Sequence, residues 1–144
     1  MNLSPHFTLA EFVVSETAAR AGIDNDPPLG LLPALKRTAQ GLEAVRVRLG
    51  GAPITVTSGY RCPELNAAIG GAKDSQHMRG EAADFICPGF GSPTDVCSAL
   101  RDSGIAYDQL ILEFGRWTHI SFVATRPRGQ ALLIDRAGVR PMWG

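Results

Sequence analysis

The sequence predicts an α+β fold: a single domain in which helices pack on a central, mostly antiparallel sheet. The clearest helix covers residues 31–49, where Leu and Val recur at helical spacing until Gly50 and Gly51 end the pattern. The second half of the chain contains short β-branched and apolar runs separated by turns, which is typical of strands. Because 144 residues can bury one core, we expect one domain over residues 1–144.

The shorter helices are predicted from the residues at which they begin. Thr8 is suited to cap a short helix within a docking segment, residues 4–21, and Glu11 holds the capping-box position. A proline occupies the first position of a helix expected over residues 63–69. We expect a further helix over residues 94–103.

Five short runs predict the strands: residues 53–57, 82–87, 109–114, 117–124 and 131–134. The third and fourth are expected to form a hairpin around Gly115 and Arg116. The fifth is the one strand expected in a tail, residues 125–144, whose end is rich in Pro and Gly. The sheet therefore follows most of the helices along the chain.

Charge and hydropathy limit the class of partner. The 14 basic and 14 acidic residues give a formal net charge of zero, which argues against binding to bulk nucleic acid or to an anionic membrane surface. No apolar run approaches the roughly 20 residues of a membrane span, and the amino terminus lacks the pattern of a secretory signal. We expect a monomer made in the cytoplasm, without a signal peptide, that reaches any outside substrate after release or export.

The three cysteines, Cys62, Cys87 and Cys97, predict neither a disulfide framework nor a thiolate zinc site. Their count is odd, their spacing is irregular, and no pair has CxxC spacing. The simplest interpretation is buried or free thiols in a reducing compartment.

Two histidines and an aspartate form the most informative pattern. His77 and Asp84 lie seven residues apart in a segment of small and polar residues, and His119 lies in an apolar strand. Two imidazoles and one carboxylate make a common catalytic zinc shell, in which the fourth position stays open for water. The third histidine, His6, lies near the amino terminus, where surface packing is the simpler interpretation.

Other roles remain open for these residues at this point. Asp84 lies among apolar neighbours, and an unpaired buried charge is costly, so it must be paired or metal-bound. A salt bridge to Arg79 or Arg61 would satisfy it without a metal. His119 could be a buried histidine bonded to the backbone. A protein in which all three residues are structural polar contacts is therefore one alternative.

The same residues belong to a longer motif. In chain order it comprises Ser58-Gly59-Tyr60-Arg61, Asn66, Gly70-Gly71, Ser75-x-His77-x-x-Gly80-x-Ala82-x-Asp84 and Trp117-x-His119. This motif resembles the D-Ala-D-Ala carboxypeptidase family of zinc peptidases. The opening, with Ser-Pro-His-Phe-Thr at residues 4–8, resembles small, single-domain, phage endolysin-like members. The resemblance covers residues 4–124.

The resemblance implies a zinc peptidase with one zinc ion per chain, held by His77, Asp84 and His119. It implies that the substrate is a peptidoglycan stem peptide, and that Arg61 binds a carboxylate or carbonyl of this peptide. A guanidinium fork suits that role because it matches a carboxylate bidentately, and it can also stabilise a developing oxyanion. Further substrate-site residues are expected to be Ser75, Tyr60 and Trp117.

The general base is expected to be Glu113, the one carboxylate in the hairpin strand that precedes His119. Hydrolysis at a single zinc ion needs a group that takes a proton from water and passes it to the leaving amine. Some relatives have a glutamate three residues before the second histidine, and others a histidine two residues before it. Those positions are Arg116 and Trp117 here, so the sequence departs from both patterns.

The length of the hairpin loop decides which way Glu113 points, because strand side chains alternate between faces. A two-residue loop would set Glu113 opposite Thr118 and turn it away from His119. A three-residue loop over residues 115–117 would set it directly opposite His119, with Cβ atoms about 5 Å apart. We predict an odd loop.

Two other classes of function stay open. One is a zinc-binding but catalytically inactive module that binds the cell wall. The other is a phage structural protein that carries the domain as a passenger. Within the peptidase interpretation, the resemblance does not distinguish a carboxypeptidase from an endopeptidase.

Overall fold

A computed structural model describes residues 1–143 of the chain. It contains five α-helices and eight strands. The helices are α1 (Leu9–Val13), α2 (Glu16–Ala21), α3 (Leu32–Arg48), α4 (Pro63–Ala68) and α5 (Pro93–Arg101), with short 3-10 helices at Leu29–Leu31 and Gln76–Arg79. The strands are β1 (Asn2–Ser4), β2 (Phe7–Thr8), β3 (Thr55–Ser58), β4 (Ala82–Ile86), β5 (Gln109–Glu113), β6 (Trp117–Ser121), β7 (Gln130–Asp135) and β8 (Gly138–Pro141). None of the described helices has the length and apolarity needed to cross a membrane.

Six strands form the central sheet, in the order β3-β4-β6-β5-β7-β8. Every neighbouring pair is antiparallel except β5 and β7, which run parallel. The two remaining strands, β1 and β2, form a separate small sheet. The predicted α+β fold with a mostly antiparallel sheet is confirmed.

One face of the sheet belongs to the core. Ala83, Phe85 and Ile120 point to this face and pack with apolar side chains of α3 and α5. Side chains alternate along a strand, so the residues between them point to the opposite face. That opposite face of β4 and β6 carries the polar residues that form the candidate site.

The ends of the chain contain more structure than the sequence predicts. The tail forms two strands rather than one, because β8 pairs with β7. Its four residues, Gly-Val-Arg-Pro, are all exposed, so β8 has no buried face that alternating apolar residues would indicate. It is an edge strand, where its proline, Pro141, is tolerated. Near the amino terminus, α2 follows α1, and the predicted capping box of Thr8 and Glu11 is present.

Candidate metal centre

Asp84 and His119 stand directly opposite each other on the paired strands β4 and β6. Opposite residues of an antiparallel pair share a face, which brings Nδ1 of His119 to 2.9 Å from Oδ1 of Asp84. Both side chains are buried, although they lie on the face away from the apolar core. Two of the three predicted ligands are therefore brought together by strand register alone.

His77 comes from outside the sheet, on the 3-10 helix Gln76–Arg79. The hydroxyl of Ser75 caps this helix by accepting the backbone N–H of His77 at 3.2 Å. The helix ends at Gly80, whose φ of +70° suits glycine, and a Cβ there would lie 3.1 Å from Leu35. This turn places Nε2 of His77 3.4 Å from Oδ1 of Asp84.

The backbone fixes the proton of His77. Its Nδ1 lies 2.6 Å from the carbonyl oxygen of Gly59, and a hydrogen bond there requires the proton to be on Nδ1. The lone pair of Nε2 is then free to bind a metal, as in most metal-ligating histidines. Gly59 lies against α1 so closely that a Cβ would be 2.6 Å from the carbonyl oxygen of Phe12. The same carbonyl accepts the backbone N–H of Tyr60 at 2.7 Å.

The donor set fits a zinc ion. One ligand atom each from His77, Asp84 and His119 can be chosen so that all three lie within 4.8 Å of one another. Zinc bonds of roughly 2.0–2.1 Å in a tetrahedron place ligand atoms about 3.3 Å apart. The two distances to Oδ1 of Asp84, 2.9 and 3.4 Å, bracket that separation. Among residues 1–143, no other group of three His, Cys, Asp or Glu side chains converges in this way.

The protonation of the buried groups favours metal binding. Burial lowers the pKa of His77, which keeps its imidazole neutral, as a metal ligand must be. Burial opposes ionisation of Asp84, but His77 and His119 outweigh it and hold the pKa of this carboxyl well below its usual range. The site therefore offers a carboxylate and at least one neutral imidazole without further proton loss.

Arg61 braces the second oxygen of Asp84. Its Nη2 lies 3.5 Å from Oδ2 of Asp84, while Nε donates to Ser58 and Nη1 to Asn66, each at 3.3 Å. The contact that the sequence left open between Asp84 and Arg61 is present, whereas Arg79 pairs with other carboxylates. Arg61 lies close enough to the cluster to act on a group bound there.

The hairpin loop has three residues, Phe114–Arg116, which confirms an odd loop. The predicted pairing is wrong, however, because Glu113 stands opposite Trp117, and Ile111 stands opposite His119. The loop begins one residue earlier than predicted, with Phe114 in the left-handed region at φ 55°. Glu113 still shares the face of His119 and reaches it diagonally, with Oε1 3.8 Å from Nδ1.

A cleft of about 590 Å³ opens over these residues. Its lining includes His77, His119, Glu113, Arg61 and Ser75. Burial raises the pKa of Glu113, and the charge of the nearby Asp84 raises it further. The cleft thus joins the ligand cluster, a carboxyl group of raised pKa and a guanidinium.

The remaining predicted residues lie elsewhere. Tyr60 is buried in the core and lines a second cleft beside Arg61. Trp117 faces a groove at the end of the hairpin. Neither lines the cleft over the ligand cluster, so a substrate-binding role for these two residues stays a prediction. His6 pairs with Glu43 at 2.7 Å, away from the cluster, as expected of a surface histidine.

Sequence reasoning missed the residues that hold the site in place. Asn25 donates to the carbonyls of Val13 and Tyr60 and accepts the N–H of Cys62, which fixes the turn that carries Arg61. Asn25 lies in a loop of polar residues, where nothing in the pattern separates it from its neighbours. Its role depends on contacts between distant parts of the chain.

Comparison with known proteins identifies the family of the chain. The sequence model of the peptidase M15 family matches residues 5–121. The chain belongs to the peptidase M15 family. It is also similar to the zinc D-Ala-D-Ala carboxypeptidase of Streptomyces albus G, with 49% identity over 44 residues. That match covers 31% of this chain and 17% of the relative's length. The resemblance inferred from the motif is confirmed at the level of the family.

Proposed function

We propose that this M15 family member is a zinc-dependent peptidase that hydrolyses a peptide bond in peptidoglycan stem peptides. The observation that carries the proposal is the convergence of His77, Asp84 and His119 beneath an open cleft, with Glu113 3.8 Å from His119. Two histidines and a carboxylate are one of the three-ligand sets with which catalytic zinc sites leave the fourth position open.

A zinc ion at this position would lower the pKa of a bound water toward about 7 and polarise a substrate carbonyl. Glu113 then acts as the general base: its carboxylate takes a proton from water beside the cluster and gives it to the leaving amine. Its raised pKa suits both steps, because an ordinary glutamate is a weaker base and a poorer relay.

Arg61 and Ser75 are proposed to hold the peptide. The Arg61 side chain is only 15% exposed. Its contacts with Asp84, Ser58 and Asn66 fix the orientation of its guanidinium group. A fixed guanidinium at the cleft can hold a substrate carboxylate or stabilise the oxyanion as the carbonyl is attacked. Ser75 lines the same cleft beside His77.

The substrate is proposed from the similarity to a zinc D-Ala-D-Ala carboxypeptidase together with the M15 family match. Both D-Ala-D-Ala carboxypeptidase and endopeptidase activity fit a cleft of this kind. We propose one zinc ion per chain and action on the cell wall after release or export. An origin in a phage or prophage and a monomeric state remain predictions.

Metal content is the first test. Elemental analysis of purified protein should give about one zinc per wild-type chain, lost in His119→Ala and retained in His6→Ala, the control outside the cluster. Digestion of peptidoglycan followed by mass spectrometry would then identify the bond that is cut. A wild-type protein that binds no zinc after reconstitution would contradict the proposal, and so would zinc-loaded protein that cuts no stem peptide.

A further inference from the structure

We propose that Arg128 is a second carboxylate-binding residue in the cleft, so that the preferred peptide carries a free carboxylate two or three residues from the scissile bond. The inference rests on the proposed function, because it concerns the substrate of the same cleft. Arg128 lines that cleft together with His119 and Glu113, yet it comes from the loop that follows the hairpin.

The side chain and the backbone of Arg128 are both held by Asp108. Its Nε donates to both oxygens of Asp108 at 3.1 Å, its Nη2 donates to Oδ2 at 2.6 Å, and its backbone N–H donates to Oδ1 at 2.9 Å. Asp108 is only 3% exposed and also accepts Nε2 of Gln76 at 3.1 Å. The Arg128 side chain itself is 54% exposed. A buried carboxylate thus anchors one edge of the guanidinium, while Nη1 makes no hydrogen bond to any described residue.

Along the cleft, strand β5 separates the loop that carries Arg128 from the ligand cluster. Gln109, Ile111 and Glu113 share the cleft face, and Ile111 stands opposite His119. At about 3.3 Å per residue, the α-carbon of Gln109 lies about 7 Å from that of Ile111. Gln130 pairs with Gln109, so Arg128 lies at this far end. An extended peptide spans that distance with two or three residues.

The other cleft arginines are less suited to this role. Arg61 already contacts Asp84, Ser58 and Asn66. Arg79 pairs with two carboxylates, Asp74 and Glu81, which repel a further anion. Arg128 has one carboxylate partner, the buried Asp108, and its half-exposed side chain lines the cleft. Its charge-assisted donors therefore remain available to a ligand.

Paired peptides test the proposal by binding rather than by turnover. The first is a stem-type pentapeptide with a free carboxylate two or three residues from the scissile bond. The second is the same peptide with that carboxylate amidated. Calorimetry uses the zinc-loaded Glu113→Gln protein, so that neither peptide is consumed. We expect the acidic peptide to bind about tenfold tighter, as hydrogen bonds to charged groups allow. The ratio should fall to about one after Arg128→Gln is added.

Two further variants keep the result interpretable. Arg126→Gln removes the same charge from the same loop, at an exposed residue that does not line the cleft, and should leave the ratio unchanged. The pair Asp108→Asn with Arg128→Gln removes both charges, so a ratio of about one in this folded protein excludes a simple effect of an unpaired buried carboxylate. A ratio unchanged by Arg128→Gln, equal binding of both peptides, or binding of neither would overturn the proposal. Wild-type protein that binds the acidic peptide tightly but never cuts it would instead refute the peptidase function alone.

Discussion

Glu113 reaches His119 along a diagonal of the β5–β6 hairpin, with Oε1 3.8 Å from Nδ1, while Ile111 occupies the position directly across from His119. The His119 imidazole therefore has one apolar neighbour and one carboxyl neighbour on β5. The Glu113 carboxyl group, two residues along β5 from Ile111, lies beside the ligand cluster but is not one of the three groups that converge there. This position is compatible with the proposed role of Glu113 as general base.

Substitution of Glu113 with Gln should lower kcat/KM by about 10²–10⁴-fold while zinc content stays unchanged, because the amide cannot accept the proton. In the wild type, the acid limb of the pH–rate profile should lie above the ordinary glutamate pKa of about 4.3, since burial raises the pKa of Glu113 and only the deprotonated form acts. Steady-state kinetics across pH check both points. The exposed Glu64→Gln serves as control, and an unchanged kcat/KM in Glu113→Gln would exclude it as the base.

Replacement of Gly59 with Ala should weaken zinc binding by about 10–100-fold. The added Cβ would lie 2.6 Å from the carbonyl oxygen of Phe12, so the turn must shift and carry with it the carbonyl that binds Nδ1 of His77. Competition with a chromogenic chelator measures the affinity. Gly30→Ala is the matched control because a Cβ there contacts nothing within 4 Å. Equal affinities in the two variants would show that the carbonyl does not orient His77.

Removal of the Asn25 side chain should lower the free energy of unfolding by about 3 kcal/mol, since Asn25→Ala leaves two carbonyls and one N–H without their partner. The loss should appear as a lower denaturant midpoint with an unchanged slope. Asn2→Ala, at an exposed position, provides the comparison. A variant as stable as wild type would mean that water replaces the amide at this turn.

Acid should weaken the ion pair of Arg128 with Asp108, which anchors the loop between β6 and β7. Hydrogen bonds from Arg128 hold the pKa of Asp108 below its usual range. A carboxyl group whose pKa is lower in the folded state stabilises the protein at pH values above its unfolded-state pKa of about 3.9. That stabilisation is lost as the pH falls through the folded-state pKa. Wild type should therefore lose melting temperature more steeply than Asp108→Asn between about pH 5 and pH 2. Parallel curves for the two proteins in thermal melts would argue against this linkage.

The sequence was sufficient to predict the fold class and the convergence of His77, Asp84 and His119. The periodicity of α3 and the β-branched strands depends on local spacing, which the chain displays directly. His77, Asp84 and His119 belong to a motif whose order along the chain is itself informative. Their convergence then follows from the pairing of two strands and one short turn.

The exact register of the hairpin could not be predicted, because it depends on whether Phe114 adopts a left-handed backbone conformation. The supports of the site were missed for a related reason. Gly59, Asn25 and Asp108 act through contacts with residues far away in the chain, and no local pattern indicates such partners. The exposed edge strand β8 lacked the alternation on which strand prediction depends.

The position of β4 between β3 and β6 has a consequence for the order in which the site can assemble. His77 and Asp84 precede α5 in the chain, whereas His119 arrives only with β6. Until β6 docks beside β4, a folding chain offers one imidazole and one carboxylate, which bind zinc far more weakly than three ligands do. Under the proposed function, tight zinc binding therefore requires β6 to be paired with β4, and peptide hydrolysis can begin only after that pairing.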